Sequence, residues 1–454
     1  MRGGYFFVNA KTELNDNLMT RPVKLLRGNK MDNTKVNVER QKKGAAAICA
    51  AAALASGIAL TSFSTGALAE GNTLGDAIMQ SKPLISLRLR HESVDQNGIA
   101  NDASANTLRA RLGIETGNFE GFTLLVEGEM VIGLGSEDFN NTINGKTTYP
   151  VVADPDDQQL NRAQITYTGI DDTAVIVGRQ RVILDNARFV GNVGWRQNEQ
   201  TFDAAVVSTS IIPDTVLTYG YVDQINRIFG TDSAVGRLDT SSHLINGKYT
   251  GLENIDIGAY AYLLDVDLVP AASTATYGIR ASGKFDVAEG VTAGLSGEYA
   301  HQSDHANNTR NVSLDYYRAE ASVGYEGFSG LLGYEVLEGD GTVGFGTPLA
   351  TLHAFQGWAD VFLGTPAGGI EDLYIKGGYN AGPVLGLAGL SGAIIYHDFQ
   401  GERTGGDLGT EWDAVLKAKI DGNFAATAKY ATYDGPVGGP ASRDKIWFEI
   451  SYAY

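Results

Sequence analysis

The sequence predicts an all-β fold, a transmembrane antiparallel up-and-down β-barrel of about 18 strands, and three observations predict it. After residue 69 the dominant hydrophobic period is two residues, the period of a strand. The alternating stretches run about 9–12 residues, enough for a tilted strand to cross a bilayer, where ordinary strands run about 5–6. The connections alternate short and long, and eight short turns among nine long loops demand eighteen strands.

The chain has 454 residues, with 57 Gly and 11 Pro, and is 43% hydrophobic. Its one long apolar run is N-terminal. Arg40, Lys42 and Lys43 precede GAAAICAAAALASGIALTSF, and Ala67-Leu68-Ala69 follows. That order is a basic region, an apolar region and an A-x-A cleavage site. Residues 1–69 therefore read as an N-terminal extension and secretory signal peptide, 70–83 as a short periplasmic segment, and 84–454 as the barrel. The only cysteine, Cys49, falls in the signal, so the remainder offers no disulfide and no thiolate metal site. Residues 1–69 hold 10 Lys+Arg and 4 Asp+Glu, which leaves 25 against 49 and a net charge of −24. That sign argues against nucleic acid as a partner.

The strands follow in order. Ile85, Leu87 and Leu89 alternate with Ser86, Arg88 and Arg90. Leu108, Ala110, Leu112 and Ile114 alternate with Arg109, Arg111, Gly113 and Glu115. Leu124, Val126, Met130 and Ile132 alternate with Thr123, Glu127 and Glu129. The same rule holds over 275–282 and 412–420. It holds again in the closing KIWFEISYAY, where Ile446, Phe448, Ile450, Tyr452 and Tyr454 share one face and Lys445, Glu449 and Ser451 the other. The short turns are GNFEG (117–121), GIDD (169–172), IIPD (211–214), GLEN (251–254), DVAEG (286–290), YEG (325–327), NAGP (380–383) and DGN (421–423). The long loops between them are 92–106, 133–158, 183–199, 224–240, 265–273, 302–312, 339–369, 399–409 and 435–443. Short periplasmic turns with long outer loops are the outer-membrane pattern, and Tyr325, Phe328, Tyr374, Tyr379, Tyr430 and Tyr433 suit its aromatic girdles. The last strand must pair with the first, because an open edge in lipid leaves backbone groups unsatisfied. The partners this implies are the bilayer of the bacterial outer membrane and the barrel assembly machinery.

If alternation fixes the faces, Arg88, Arg90, Arg109, Arg111, Arg162, Arg179 and Arg181 look into the lumen. Arginine is always charged and takes carboxylates bidentately, so such a wall suits a channel for carboxylated solutes. Glu127 and Glu129 lie beside it, and the alternative is a wall of ion pairs with no role toward a solute.

Two strings carry a resemblance. VGRQRVILDNARFVGNVGWRQNEQTFDA (177–204) and TPLATLHAFQGWADVFLGTPAGGIEDLY (347–374) are similar to segments of the alginate-export family of outer-membrane barrels. The resemblance implies an eighteen-stranded barrel whose arginine-rich constriction passes an anionic oligo- or polysaccharide. It places Arg179, Arg181, Asp185, Arg188 and Arg196 at that constriction; the alternative is that Asp185, Asn186, Asn192 and Asn198 organise a tight outer loop. The acidic balance of the chain departs from what a polyanion exporter needs, which leaves a general or small-anion porin as the alternative. In the second string Thr347 and Pro348 open, and Gly364 closes, an expected helix over 347–364 with Leu352, Phe355, Ala359 and Phe362 on one side. This segment either folds into the mouth as a constriction loop, with Phe355, Trp358 and Asp360 as its residues, or caps the rim.

The six histidines are scattered, no metal-ligand pair sits on one motif, and no phosphate loop or nucleophile elbow appears. The expectation is a passive channel, not an enzyme, with no cofactor, metal or catalytic residue. A surface adhesin and a hydrolase at the barrel rim are the readings from other classes.

Overall fold

The computed structural model describes residues 73–454, which form eighteen strands and one α-helix. The signal-peptide reading of residues 1–69 lies outside the described residues.

The helix, α1 (Leu74–Met79), comes first. Thr73 accepts from the Asp76 backbone N–H through its hydroxyl, and the Asp76 carboxylate accepts from the Thr73 N–H at 2.9 Å, a capping box. The buried Ala77 offers its carbonyl to Gly117 N at 2.8 Å. A side chain at Gly117 would come within 2.9 Å of Gln80, so glycine lets the helix lie on the first periplasmic turn.

The strands then run β1 (Lys82–Gln96), β2 (Ala103–Glu115), β3 (Phe122–Gly133), β4 (Asp157–Ile170), β5 (Thr173–Gln180) and β6 (Thr201–Thr209). They continue through β7 (Thr215–Asn226), β8 (Arg237–Leu252), β9 (Ile255–Leu263), β10 (Thr274–Ala288), β11 (Val291–Asp304) and β12 (Ser313–Tyr325). The ring is completed by β13 (Phe328–Leu337), β14 (Ile370–Val384), β15 (Leu387–Gln400), β16 (Asp407–Lys419), β17 (Phe424–Asp434) and β18 (Arg443–Ala453). Each strand pairs antiparallel with its neighbours in sequence, and β1 pairs with both β2 and β18. In the closing register Leu89 lies opposite Ile450 and Arg90 opposite Glu449. The ring is shut, so no backbone edge faces lipid.

Strand lengths run from 8 residues in β5 to 16 in β8, a wider spread than alternation suggests. The eight-and-nine pattern of connections holds, with shifted boundaries. NAGP lies inside β14, because register shifts at Gly382 carry the ladder on to a turn at Leu385 and Gly386. The first loop shrinks to 97–102.

The outer face is apolar. Leu416 and Ile450 are each 52% exposed there, and Leu89, Ile394 and Phe448 join them. Phe122, Tyr325, Phe328 and Tyr379 form an outward ring near the short turns, and Tyr299, Tyr317, Tyr334, Trp412 and Tyr430 another near the long loops. Tyr374 and Tyr433, expected in these girdles, point inward instead, where Tyr374 donates to Glu320 at 2.7 Å. Strand parity sets this, since Ile375 and Thr432 occupy the outward positions beside them. An apolar belt between two aromatic rings on a closed barrel is the outer-membrane architecture, and the chain is an outer-membrane barrel.

Candidate functional site

Parity carries Arg88, Arg90, Arg109, Arg111 and Arg162 inward, and most of them meet carboxylates there. Arg179, expected in the lumen, faces outward instead: it shares a strand face with the lipid-exposed Val177 and lies opposite Asp203, which stands between the inward Phe202 and Ala204. Arg162 pairs with Glu127 at 2.8 Å and Arg179 with Asp203 at 2.6 Å. Arg90 pairs with Glu449 at 2.7 Å, and Arg111 with Glu129 and, at 3.3 Å, with Glu199. Arg88 stands 3.8 Å from Glu449. Arg109 is different: it donates to Ser86 Oγ at 2.9 Å, and its Nε has no hydrogen-bond partner among the described residues.

Depth separates these residues further. The Arg181 side chain keeps 28% exposure to the lumen, while its partners Glu199 and Glu127 keep 1% and 5%. Arg162 is also less buried than Arg88, Arg90 or Arg111. At Arg162 of β4 and at Arg181, just past the end of β5, guanidinium groups face the water and carboxylates lie behind them. Burial pushes the Glu199 carboxyl up, but Arg111 and Arg181 outweigh it and hold it down to about 2.

The loop 181–200 does not stand above the barrel. It crosses the lumen. Asp185 is held at one wall by Arg280 of β10 at 2.9 Å and by Asn246 of β8 at 2.7 Å. Phe189 packs among Tyr260 and Tyr262 of β9, Tyr316 of β12 and Phe345. Arg188 reaches Glu335 of β13 at 2.8 Å. At the opposite wall Arg88 donates to the carbonyls of Gly194 and Arg196, and Arg196 pairs with Glu92 of β1 at 2.9 Å and with Asp154 at 3.1 Å. Asp185, Arg188 and Arg196 are thus anchors of a crossing segment, fixed to walls that face each other across the ring.

A second loop, 338–369, folds in beside it. Val190 forms a parallel bridge with Leu349, and Gly191 N donates to Leu349 O at 2.8 Å. The helix expected over 347–364 is absent, and only a single 3₁₀ turn forms at Leu352–Ala354. Gln356, Gly357 and Asp360 have φ of 46°, 80° and 59°, left-handed values that break a helix. The backbone donors go to the wall: Ala359 N to Glu411 at 2.6 Å and Trp358 N to Asp413 at 3.2 Å. Gly357 passes so close to the Glu411 carboxylate that no side chain fits.

The expected residues of this loop are all engaged. Phe355 lies under the Arg188 guanidinium, 4.6 Å from ring centre. Asp360 binds Lys445 at 2.6 Å and His353 at 2.7 Å. Burial pushes the Asp360 carboxyl up, but His353 and Lys445 outweigh it and hold it below the usual range. Trp358 covers the Lys429 ammonium, which stands 3.9 Å from the ring centre and 2.6 Å from His353 Nε2.

The sequence reading missed Glu92, Asp154, Glu199, Asp203, Glu411 and Asp413 as partners. Glu92 continues the inward series of Arg88 and Arg90, and Glu199 sits within the first family-like string, so both carried a signal. Asp154 lies in a loop and carried none.

No protein-family model matches the chain, and no curated protein matches it in sequence. Solved structures do match it in shape. OccAB2 of Acinetobacter baumannii has a TM-score of 0.66 at 17% identity, covering 84% of this chain and 100% of that one. OpdL of Pseudomonas aeruginosa has 0.63 at 18%, covering 82% and 98%. OpdK of the same species, solved with vanillate, has 0.63 at 14%, covering 82% and 98%. At these identities the likeness is one of fold, and the fold is a porin-like outer-membrane β-barrel. These neighbours do not extend the resemblance to a polyuronate exporter.

Proposed function

We propose that the chain is a passive porin for small anionic solutes, carboxylates foremost. One observation carries this. Arg181, with Arg162 beside it, turns its guanidinium to the lumen while Glu199 and Glu127 lie buried behind it. A solute meets the cations first, and Coulomb energies in a narrow passage rise as the effective dielectric falls. Local charge therefore governs selectivity despite the acidic whole. The vanillate in the OpdK structure is itself a small carboxylate, which agrees with this reading.

The polyuronate reading is the second. The run of arginines along one wall favours it equally, but a linked sugar chain would have to push aside a pair of loops that are tied to each other and to both walls. Reversal potentials of the purified protein in a planar bilayer test the proposal. We expect anion preference, and a shift toward cations in Arg181→Glu and Arg162→Glu. Cation selectivity of the unaltered protein, unmoved by these substitutions, would refute it. Block by oligouronates without block by small carboxylates would favour the polymer.

A further inference from the structure

The lipid face of β13–β18 is not evenly filled. In its register small residues lie opposite large ones: Gly377 opposite Ile394, Gly392 opposite Leu416, Ala414 opposite Tyr430 and Ala428 opposite Phe448. The four small residues floor a hollow of about 890 Å³, and Ile394, Leu416 and Phe448 wall it. The hollow reaches from Phe328 and Tyr379, in the ring near the short turns, to Tyr430, in the ring near the long loops. It therefore spans the apolar belt.

Carboxylates stand just loopward of it. Glu371, Asp398, Asp434 and Asp444 hold outward positions at that end of β14, β15, β17 and β18. Every lysine and arginine of β14–β18 has the opposite parity and points inward. The tyrosine hydroxyls of the ring are already engaged: Tyr334 donates to Glu371 at 2.8 Å and Tyr430 to Asp444 at 3.4 Å. This edge offers acceptors and negative charge to whatever lies against it.

Lipid tails are as apolar as the hollow, so shape and headgroup decide what fills it. A second copy docked symmetrically would set one carboxylate edge against another, which like charges oppose. A lipid bearing only a phosphate meets the same repulsion. We infer that the hollow holds one bilayer lipid, its tail over the small residues and an ammonium-bearing headgroup against the carboxylates. The tail supplies the dispersion contacts that the missing side chains leave unmade, and the ammonium makes charge-assisted hydrogen bonds to the edge. The site concerns the outer wall and is independent of what the lumen passes.

The test is native mass spectrometry of the purified full chain, stripped of lipid and offered phosphatidylethanolamine or phosphatidylglycerol of equal chain length with a chelator present. One phosphatidylethanolamine should be retained, about tenfold more tightly than phosphatidylglycerol, from the charge-assisted contact. Asp434→Asn with Asp444→Asn should erase that preference. Gly377→Leu with Ala428→Leu fills the hollow and should abolish retention of both lipids. A Cβ at Gly377 meets nothing within 4 Å, and leucine suits a lipid face, so the barrel should still fold. Equal retention of the two lipids by the unaltered chain, or retention unmoved by the filled hollow, overturns the site. Phosphatidylglycerol retained equally once Mg²⁺ is added would assign the edge to cation-bridged phosphates. A dimer that Gly377→Leu dissociates would assign the hollow to a second copy. Either result overturns the inference.

Discussion

The indole of Trp195 lies flat on the imidazole of His353, ring centres 3.4 Å apart and planes within 4°. Trp195 belongs to the segment that crosses the lumen and His353 to the loop folded beside it. Trp447 of β18 meets both rings edge-on. The stack therefore ties these loops to each other and to the wall where the barrel closes.

Breaking that stack should free the loops. A paired aromatic contact contributes about 0.5–1.5 kcal/mol beyond the area it buries. Trp195→Ala should therefore raise the open population about two- to tenfold. The expected readout is a larger or noisier single-channel current in planar bilayers, with barrel stability in detergent little changed. A current identical to that of the unaltered protein would mean that the stack does not restrict the passage.

The same contact should respond to acid. Burial drives the His353 basicity well below the ordinary value of 6.5, so the docked ring is neutral. It donates from Nδ1 to Asp360 and accepts at Nε2 from Lys429, with Lys445 on the far side of Asp360. A released loop would expose the ring and let it protonate near 6.5. Between the depressed docked value and 6.5 the released form holds more protons, so docking weakens as pH falls below about 6.5 and is unaffected above it. Current noise should rise between about pH 7.5 and pH 5, and His353→Phe should flatten that response. Noise that rises equally in the variant would assign the effect to another group.

Much of the fold is legible because a strand has a period of two. Once Leu112 faces lipid, Arg109 and Arg111 must face the lumen, whatever the tertiary detail. The turn pattern then gives the strand count. Period alone says nothing about a segment whose partners are distant. The stripe from Leu352 to Phe362 reads as helical, yet Glu411 and Asp413 of β16 take its backbone donors and hold it extended. Nor could it reveal that Phe189 reaches β9 and β12, contacts which depend on the width of the lumen. The helix α1 is signalled by Thr73 and Asp76 at capping-box spacing, a signal that the stronger strand pattern beside it masks.

The outer face yields a direct test of parity. Leu416→Arg or Ile394→Arg places a cation among lipid tails and should cost about 2–4 kcal/mol near the bilayer midplane. Ser322→Arg adds the same side chain at an exposed lumenal position of β12 and should fold normally. Gly113 would be a poor control, because any side chain there comes within 2.9 Å of Glu127 Cβ. Heat-modifiable gel mobility and urea unfolding in lipid vesicles report the difference. Equal damage at both kinds of site would reverse the assignment of faces.

The anchor of the crossing segment at β1 is the place where one substitution should do most harm. Arg196 donates to Glu92 at 2.9 Å and to Asp154 at 3.1 Å, and all three side chains are buried. Burial alone would lower the basicity of Arg196, but Asp154 and Glu92 outweigh it and raise it, so the guanidinium stays charged. Arg196→Met removes the charge and leaves two buried carboxylates, Glu92 with Lys445 at 3.3 Å and Asp154 with Arg90 at 3.8 Å and the Gln197 N–H at 2.8 Å. Breaking one side of such a network typically costs about 3–5 kcal/mol. The strands do not depend on it, so the cost should fall on the loop. Limited proteolysis should cut within 181–200 in Arg196→Met while the barrel stays folded in detergent. Replacing Glu92 and Asp154 by leucine in the same chain should restore resistance, because the desolvated charges are then gone. A single variant as resistant as the unaltered protein would show that Phe189 and the Trp195 stack hold the segment without the ion pairs.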